Sequence, residues 1–107
     1  MSRQQVCVLG AGSWGTALAL VLARSGARDV WLVARDDAQV EAIECSRENQ
    51  HYLPGIKLPE NIRITSDTQL AIDSIDACVY ALPCIAVDDY LPLLARGDYP
   101  VIAACKG

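Results

Sequence analysis

The chain has 107 residues, 52% of them apolar and 21% charged, with a net charge of −4; at that length one domain buries about two-thirds of its unfolded surface. The negative balance excludes the broad attraction that nucleic acid or an anionic bilayer exerts on a basic protein, so no nucleic-acid partner is expected. The longest apolar stretch, Ala17 to Ala23, is far short of the roughly 20 residues of a membrane span, and no signal core follows the first residues, so the expectation is no membrane span and a cytoplasmic location.

Gln5 to Leu9 is continuously apolar from Val6 onward, the pattern of a parallel strand covered on both faces. Three glycines follow as Gly10-x-Gly12-x-x-Gly15. From Trp14 the period changes, with Trp14, Ala17, Leu18, Val21 and Leu22 on one helical face and Gly26 as the stop. Asp29 to Ala34 (DVWLVA) is a second buried strand, and Asp36 or Asp37 can cap a helix running to about Glu48. Asn49 to Asn61 (NQHYLPGIKLPEN) carries Pro54-Gly55 and Pro59 without either period and is expected to be a long, functional loop.

Ile62 to Thr65 is a short strand and Asp67 to Ile72 a short helix. Asp76 to Leu82 (DACVYAL) is a further buried strand ending at Pro83. Ile85 to Arg96 has helical character despite Pro92, and Pro100 to Cys105 (PVIAAC) is the last strand. Strands alternating with helices define the fold class: α/β, of the Rossmann type, a doubly wound and mostly parallel sheet with helices on both faces. The five cysteines, Cys7, Cys45, Cys78, Cys84 and Cys105, are odd in number and lack CxxC spacing. They are read as unpaired thiols, with no disulfide framework and no metal site.

A glycine triplet alone is a weak signal, but here a strand precedes it and a helix follows it. In the dinucleotide fold the first glycine makes the turn, the second admits the pyrophosphate and the third lets the helix lie close to the sheet; Gly10, Gly12 and Gly15 have those settings. The first turn of the helix offers N–H groups without intrahelical partners at the positive end of its dipole, and Ser13 could add a hydroxyl. At the end of the second strand the chain reads Ala34-Arg35-Asp36-Asp37. Arg35 suits the 2′-phosphate of NADP or the adenine face, while Asp36 or Asp37 could reach the ribose of NAD or serve only as a helix cap. The cofactor is therefore NADP or NAD, with NADP favoured.

Ligands of open α/β sheets bind beyond the carboxyl ends of the strands. Lys106 follows the last strand, where an ammonium can meet a phosphate or a substrate oxygen. His51 is the sole histidine and Cys84 has no histidine near it in sequence, so no catalytic set is assigned.

GAGSWGTALA at Gly10 to Ala19, the loop NQHYLPGIKLPENI at Asn49 to Ile62, Pro83 at a strand end and the terminal Lys106-Gly107 together resemble the N-terminal domain of bacterial NAD(P)-dependent glycerol-3-phosphate dehydrogenase. The resemblance covers the whole chain. It implies hydride transfer between nicotinamide and dihydroxyacetone phosphate or sn-glycerol 3-phosphate, feeding glycerophospholipid synthesis. It also implies cofactor contacts at Ser13, Trp14 and Arg35, a weaker one at Tyr52, and contact of Lys106 with both cofactor and substrate. Cys84 stands where the family commonly has serine, which puts one local hydrogen bond in doubt. Family members are longer, with the catalytic lysine in a helical second domain, so residues 1–107 are expected to be a truncated dinucleotide-binding domain, inactive alone, with a homodimer as candidate assembly. Two rival readings are a non-catalytic module that senses NAD(P)H, and a ketopantoate-reductase-like or phosphogluconate-dehydrogenase-like enzyme. The long proline-containing loop argues against the latter pair.

Overall fold

The computed structural model describes residues 4–73, 75–82, 90, 92, 94, 97 and 99–104. Its elements are β1 (Gln4–Leu9), α1 (Ser13–Ala23), β2 (Arg28–Val33), α2 (Asp37–Ser46), β3 (Glu48–Asn49), β4 (Leu53–Lys57), β5 (Ile62–Thr65), α3 (Thr68–Ile72), β6 (Ala77–Tyr80) and β7 (Val101–Ala103). Five strands form one sheet in the order β5-β2-β1-β6-β7, and every pair in it is parallel. Counted along this sheet alone the order is third, second, first, fourth, fifth, that of a dinucleotide-binding half, and it reverses between β1 and β6. The expected α/β class is the one observed. The helix expected over 85–96 lies mostly outside the described residues, of which Tyr90, Pro92 and Leu94 are helical.

The central strands β1, β2 and β6 are largely buried because both sheet faces are covered there, whereas the apolar edge strand β7 is exposed. Along β1, Val6 and Val8 enter one core cluster with Ala19, Leu32 and Ile43, whereas Cys7 and Leu9 enter the other with Ala71, Tyr80 and Leu94. Successive side chains of a strand point to opposite faces, so a strand with helices on both sides has no polar position to alternate.

Within α1 the buried face differs from the one that periodicity predicts. Gly15, Thr16, Ala19 and Ala23 are buried, while Trp14 is 45% and Val21 60% exposed. Spacings of four place the small residues Gly15, Ala19 and Ala23 on one stripe, which lets the helix axis approach the sheet closely. Leu18, Leu20 and Leu22 flank that stripe, partly buried. Large side chains give the stronger hydrophobic periodicity, and of those it selects Trp14 and Val21 are exposed while Leu18 and Leu22 only flank the fully buried stripe.

The segment expected to be an irregular loop contains an antiparallel pair, β3 with β4, in which Glu48 opposes Lys57 and Asn49 opposes Leu53 across a register shift. Pro54 is tolerated because β4 is an edge, and Gly55 takes φ +81° in the irregular stretch. The hairpin is held to the body by Leu58 N–H on the Arg47 carbonyl at 2.7 Å. Arg47 itself sits at φ +56° as the left-handed end of α2 and donates its guanidinium to the Pro59 and Ile62 carbonyls at 2.6 and 2.9 Å. Sparse hydrophobic content hid these strands, since their pairing is carried by backbone and ionic contacts such as Lys57 with Glu48 at 3.3 Å.

Cys7 and Cys78 are paired in register on β1 and β6, and both are buried free thiols. Their mutual hydrogen bond and their burial push the Cys7 thiol well above its ordinary value of 9.0. The fold therefore holds that proton more tightly than the unfolded chain does. Its contribution to stability is complete below pH 9.0 and is lost as pH climbs above the unfolded value. Urea midpoints are expected to fall between pH 9 and pH 10, and a Cys7→Ala variant should show a flatter decline. An equal slope in both proteins would remove this thiol as the cause.

Candidate functional site

The sheet reverses its winding between β1 and β6, and the first turn of α1 stands at that point. Gly10, at φ +113°, turns the chain out of β1, with its N–H on the Val33 carbonyl at 3.1 Å. A Cβ there would meet the Ala81 carbonyl at 3.0 Å, so both conformation and space demand glycine. Gly15 is required by packing alone: a Cβ would lie 1.8 Å from the Gly10 carbonyl oxygen.

Gly12 differs from both. It is the N-cap of α1 at φ −80°, a value any residue adopts, and a Cβ built on it has no atom within 4 Å. Neither strain nor packing requires glycine there. What its hydrogen preserves is open space above the first turn, in a cleft of about 410 Å³ that Gly10, Gly12, Ala34, Arg35, Tyr52 and Leu82 line in part. No side chain caps this helix and no acidic residue occupies its first turn. By contrast α2 and α3 are capped by Asp36 on Gln39 N–H and by Asp67 on Leu70 N–H. The first-turn N–H groups of α1, which no side chain caps, and its dipole thus stand at a cavity free of protein carboxylate from that turn, which is the environment an anion requires.

The remaining predicted residues gather around this turn to different degrees. Ser13 is exposed, and its hydroxyl donates to the Tyr52 carbonyl at 2.8 Å, tying the hairpin to the glycine turn. Trp14 donates its indole N–H to the Ala104 carbonyl at 2.5 Å, tying the same turn to the end of β7. Arg35 closes the cleft at the end of β2, with an 81% exposed side chain whose Nε lies 3.5 Å from Asp36. The Asp36 carboxylate also accepts from Gln39 N–H at 2.9 Å, so it serves as the cap, one of the two roles its sequence position allowed. The Asp37 carboxylate accepts a hydrogen bond from the Ser66 hydroxyl. Tyr52 stands between this cleft and a second one of about 590 Å³ against α2, where His51 meets it edge to face at 4.6 Å. Lys106 and Cys84 lie outside the described residues.

Two residues that sequence reasoning did not single out organise the turn. Asn49, buried at 2% exposure, donates to the Ala11 carbonyl at 2.7 Å and to the Thr16 hydroxyl at 2.8 Å. Gln39 donates to the same Ala11 carbonyl at 3.1 Å and accepts from Arg35 N–H at 3.0 Å. The only signal available was a polar residue in a segment otherwise without period, and that signal does not reveal burial. Among the described residues no cluster of histidine, cysteine or carboxylate side chains could hold a metal, and no helix is long and apolar enough to cross a membrane.

A five-stranded parallel sheet in this order, with an uncapped helix N-terminus and an open glycine at the reversal point, defines a dinucleotide-binding domain of the Rossmann type. A family model described as the N-terminus of NAD-dependent glycerol-3-phosphate dehydrogenase matches residues 5–107, and the chain belongs to that family. It is 42% identical over 106 residues to a glycerol-3-phosphate dehydrogenase [NAD(P)+] of Xanthomonas oryzae, covering 99% of this chain and 30% of the relative. Among solved structures, glycerol-3-phosphate dehydrogenase of Coxiella burnetii superposes with a TM-score of 0.89 at 29% identity over 98% of this chain and 33% of that one. The enzyme of Saccharomyces cerevisiae does so with a TM-score of 0.86 at 27% identity, over 99% and 34%. The chain therefore spans about a third of the length of the proteins it matches.

Proposed function

We propose that this chain is the NAD(P)-binding part of an sn-glycerol-3-phosphate dehydrogenase, which interconverts dihydroxyacetone phosphate and sn-glycerol 3-phosphate in glycerophospholipid synthesis. The observation that carries it is Gly12, a glycine that the protein's own atoms do not require, beside N–H groups that no side chain caps. When bound, the nicotinamide supplies or accepts the hydride. The residues of this chain hold the cofactor: Gly10 and Gly15 shape the turn, Gly12 and Ser13 receive the pyrophosphate, and Trp14 and Tyr52 border it. Lys106 is assigned to both cofactor and substrate because it matches the family's lysine at the end of the last strand. A cytoplasmic setting fits the free thiols Cys7, Cys45 and Cys78, and a homodimer is the proposed assembly.

Arg35 favours NADP over NAD. Its terminal nitrogens have no hydrogen-bond or ion-pair partner among the described residues, so a 2′-phosphate would gain a planar, charged fork. The competing acceptor for a ribose hydroxyl, Asp36, already caps α2. Titration of tryptophan fluorescence with NADPH and NADH tests both statements. Binding of NADPH ahead of NADH is expected, with Arg35→Ala costing NADPH about tenfold and NADH about twofold or less. No response to either cofactor would overturn the reading. Equal losses would leave the dinucleotide site and remove the 2′-phosphate contact.

A further inference from the structure

We propose that Asn49 is a positioning residue that locks the Ala11–Gly12 peptide in the orientation needed for a pyrophosphate. This rests on the dinucleotide reading above. The Ala11 carbonyl receives two donors, Asn49 Nδ2 at 2.7 Å and Gln39 Nε2 at 3.1 Å, which occupy both of its lone pairs. In a planar trans peptide the carbonyl and the following N–H point in opposite directions. Holding the Ala11 oxygen toward β3 and α2 therefore turns the Gly12 N–H the other way, and Gly12 lines the cleft above α1.

The lock is needed because of the residue it acts on. Flipping this peptide would carry Gly12 from φ −80° toward positive φ, a change that costs glycine little and any other residue much. A flipped peptide would present a carbonyl oxygen to the cleft and repel a phosphate. The glycine that leaves room for the ligand is thus also the one that makes the turn invertible. Asn49 is suited to prevent that inversion, because it is 2% exposed and its second amide hydrogen is fixed on the Thr16 hydroxyl at 2.8 Å. Thr16 is itself fully buried in α1. The β3–β4 hairpin, which carries Asn49, is by this account the brace of the glycine turn.

Calorimetric titration of the chain with NADPH and with 2′-AMP, which has the adenosine and its 2′-phosphate but no pyrophosphate, separates positioning from general support. Asn49→Ser, too short to span both acceptors, is expected to lower NADPH affinity about tenfold while 2′-AMP stays within about twofold. Asn49→Asp, which sets a carboxylate against the Ala11 carbonyl, should lose more of the NADPH affinity; if it does not fold, the serine variant decides alone. Thr16→Ser keeps the hydroxyl and should bind as the wild type. Parallel losses for both ligands, or none for NADPH, would overturn the assignment. Wild-type chain that binds neither ligand would instead remove the dinucleotide reading on which it rests.

Discussion

Gly12→Ala is expected to leave the fold intact and to lower NADPH affinity about tenfold or more, close to 1.4 kcal/mol for each tenfold. The backbone there is in a region open to alanine, and the added Cβ meets no atom within 4 Å. Stability should therefore stay within about 0.5 kcal/mol of wild type, the difference between glycine and alanine at an N-cap. The methyl would instead occupy the space into which a pyrophosphate must come to reach the first-turn N–H groups of α1, which no side chain caps. A thermal melt beside a fluorescence titration decides it. Undiminished NADPH binding by a folded Gly12→Ala chain would show that the cleft receives something other than a phosphate at this turn.

Three residues further on, the same substitution should do the opposite. Gly15→Ala places a Cβ 1.8 Å from the Gly10 carbonyl oxygen and 2.9 Å from its carbon. Both are backbone atoms, so no rotamer change relieves the overlap, and α1 must tilt away from β1. Because Ala19 and Ala23 lie on the same stripe, that tilt would loosen the close packing along the helix. A loss of about 3 kcal/mol is expected, at the upper end of overpacking costs, which for a domain of this size lowers the melting temperature by about 12 °C or more. Loss below about 1 kcal/mol would mean that the turn yields easily and that close helix approach is not what holds α1 in place. Affinity loss without destabilisation marks a ligand position, whereas destabilisation first marks a structural one.

Much of this was legible in the residues. The strands β1, β2 and β6 stand where continuous apolar runs predict them, because burial on both faces leaves no polar alternation to confuse the pattern, and β5 stands where a short strand was expected. The glycine spacing pointed to the turn because a sharp exit from a strand and a close helix approach demand glycine whatever the ligand. The face of α1 was not legible. Periodicity weights large side chains, and the contact that decides this helix is made by small ones. The β3–β4 pair was missed for a related reason: its pairing depends on backbone and ionic contacts rather than on a hydrophobic face.

By itself, then, the sequence determined the alternation of elements, the parallel sheet they imply and the position of the glycine turn, since each depends on local residue chemistry. Only the tertiary structure decided which of the three glycines is free of packing, that the Asp36 carboxylate is taken by a helix cap, and that Asn49 and Gln39 converge on the Ala11 carbonyl from 38 and 28 positions away. Those facts are relations between distant segments. A hydrogen bond across such a separation leaves no period and no spacing in the chain, and it exists only once the sheet has brought its strand ends to one edge.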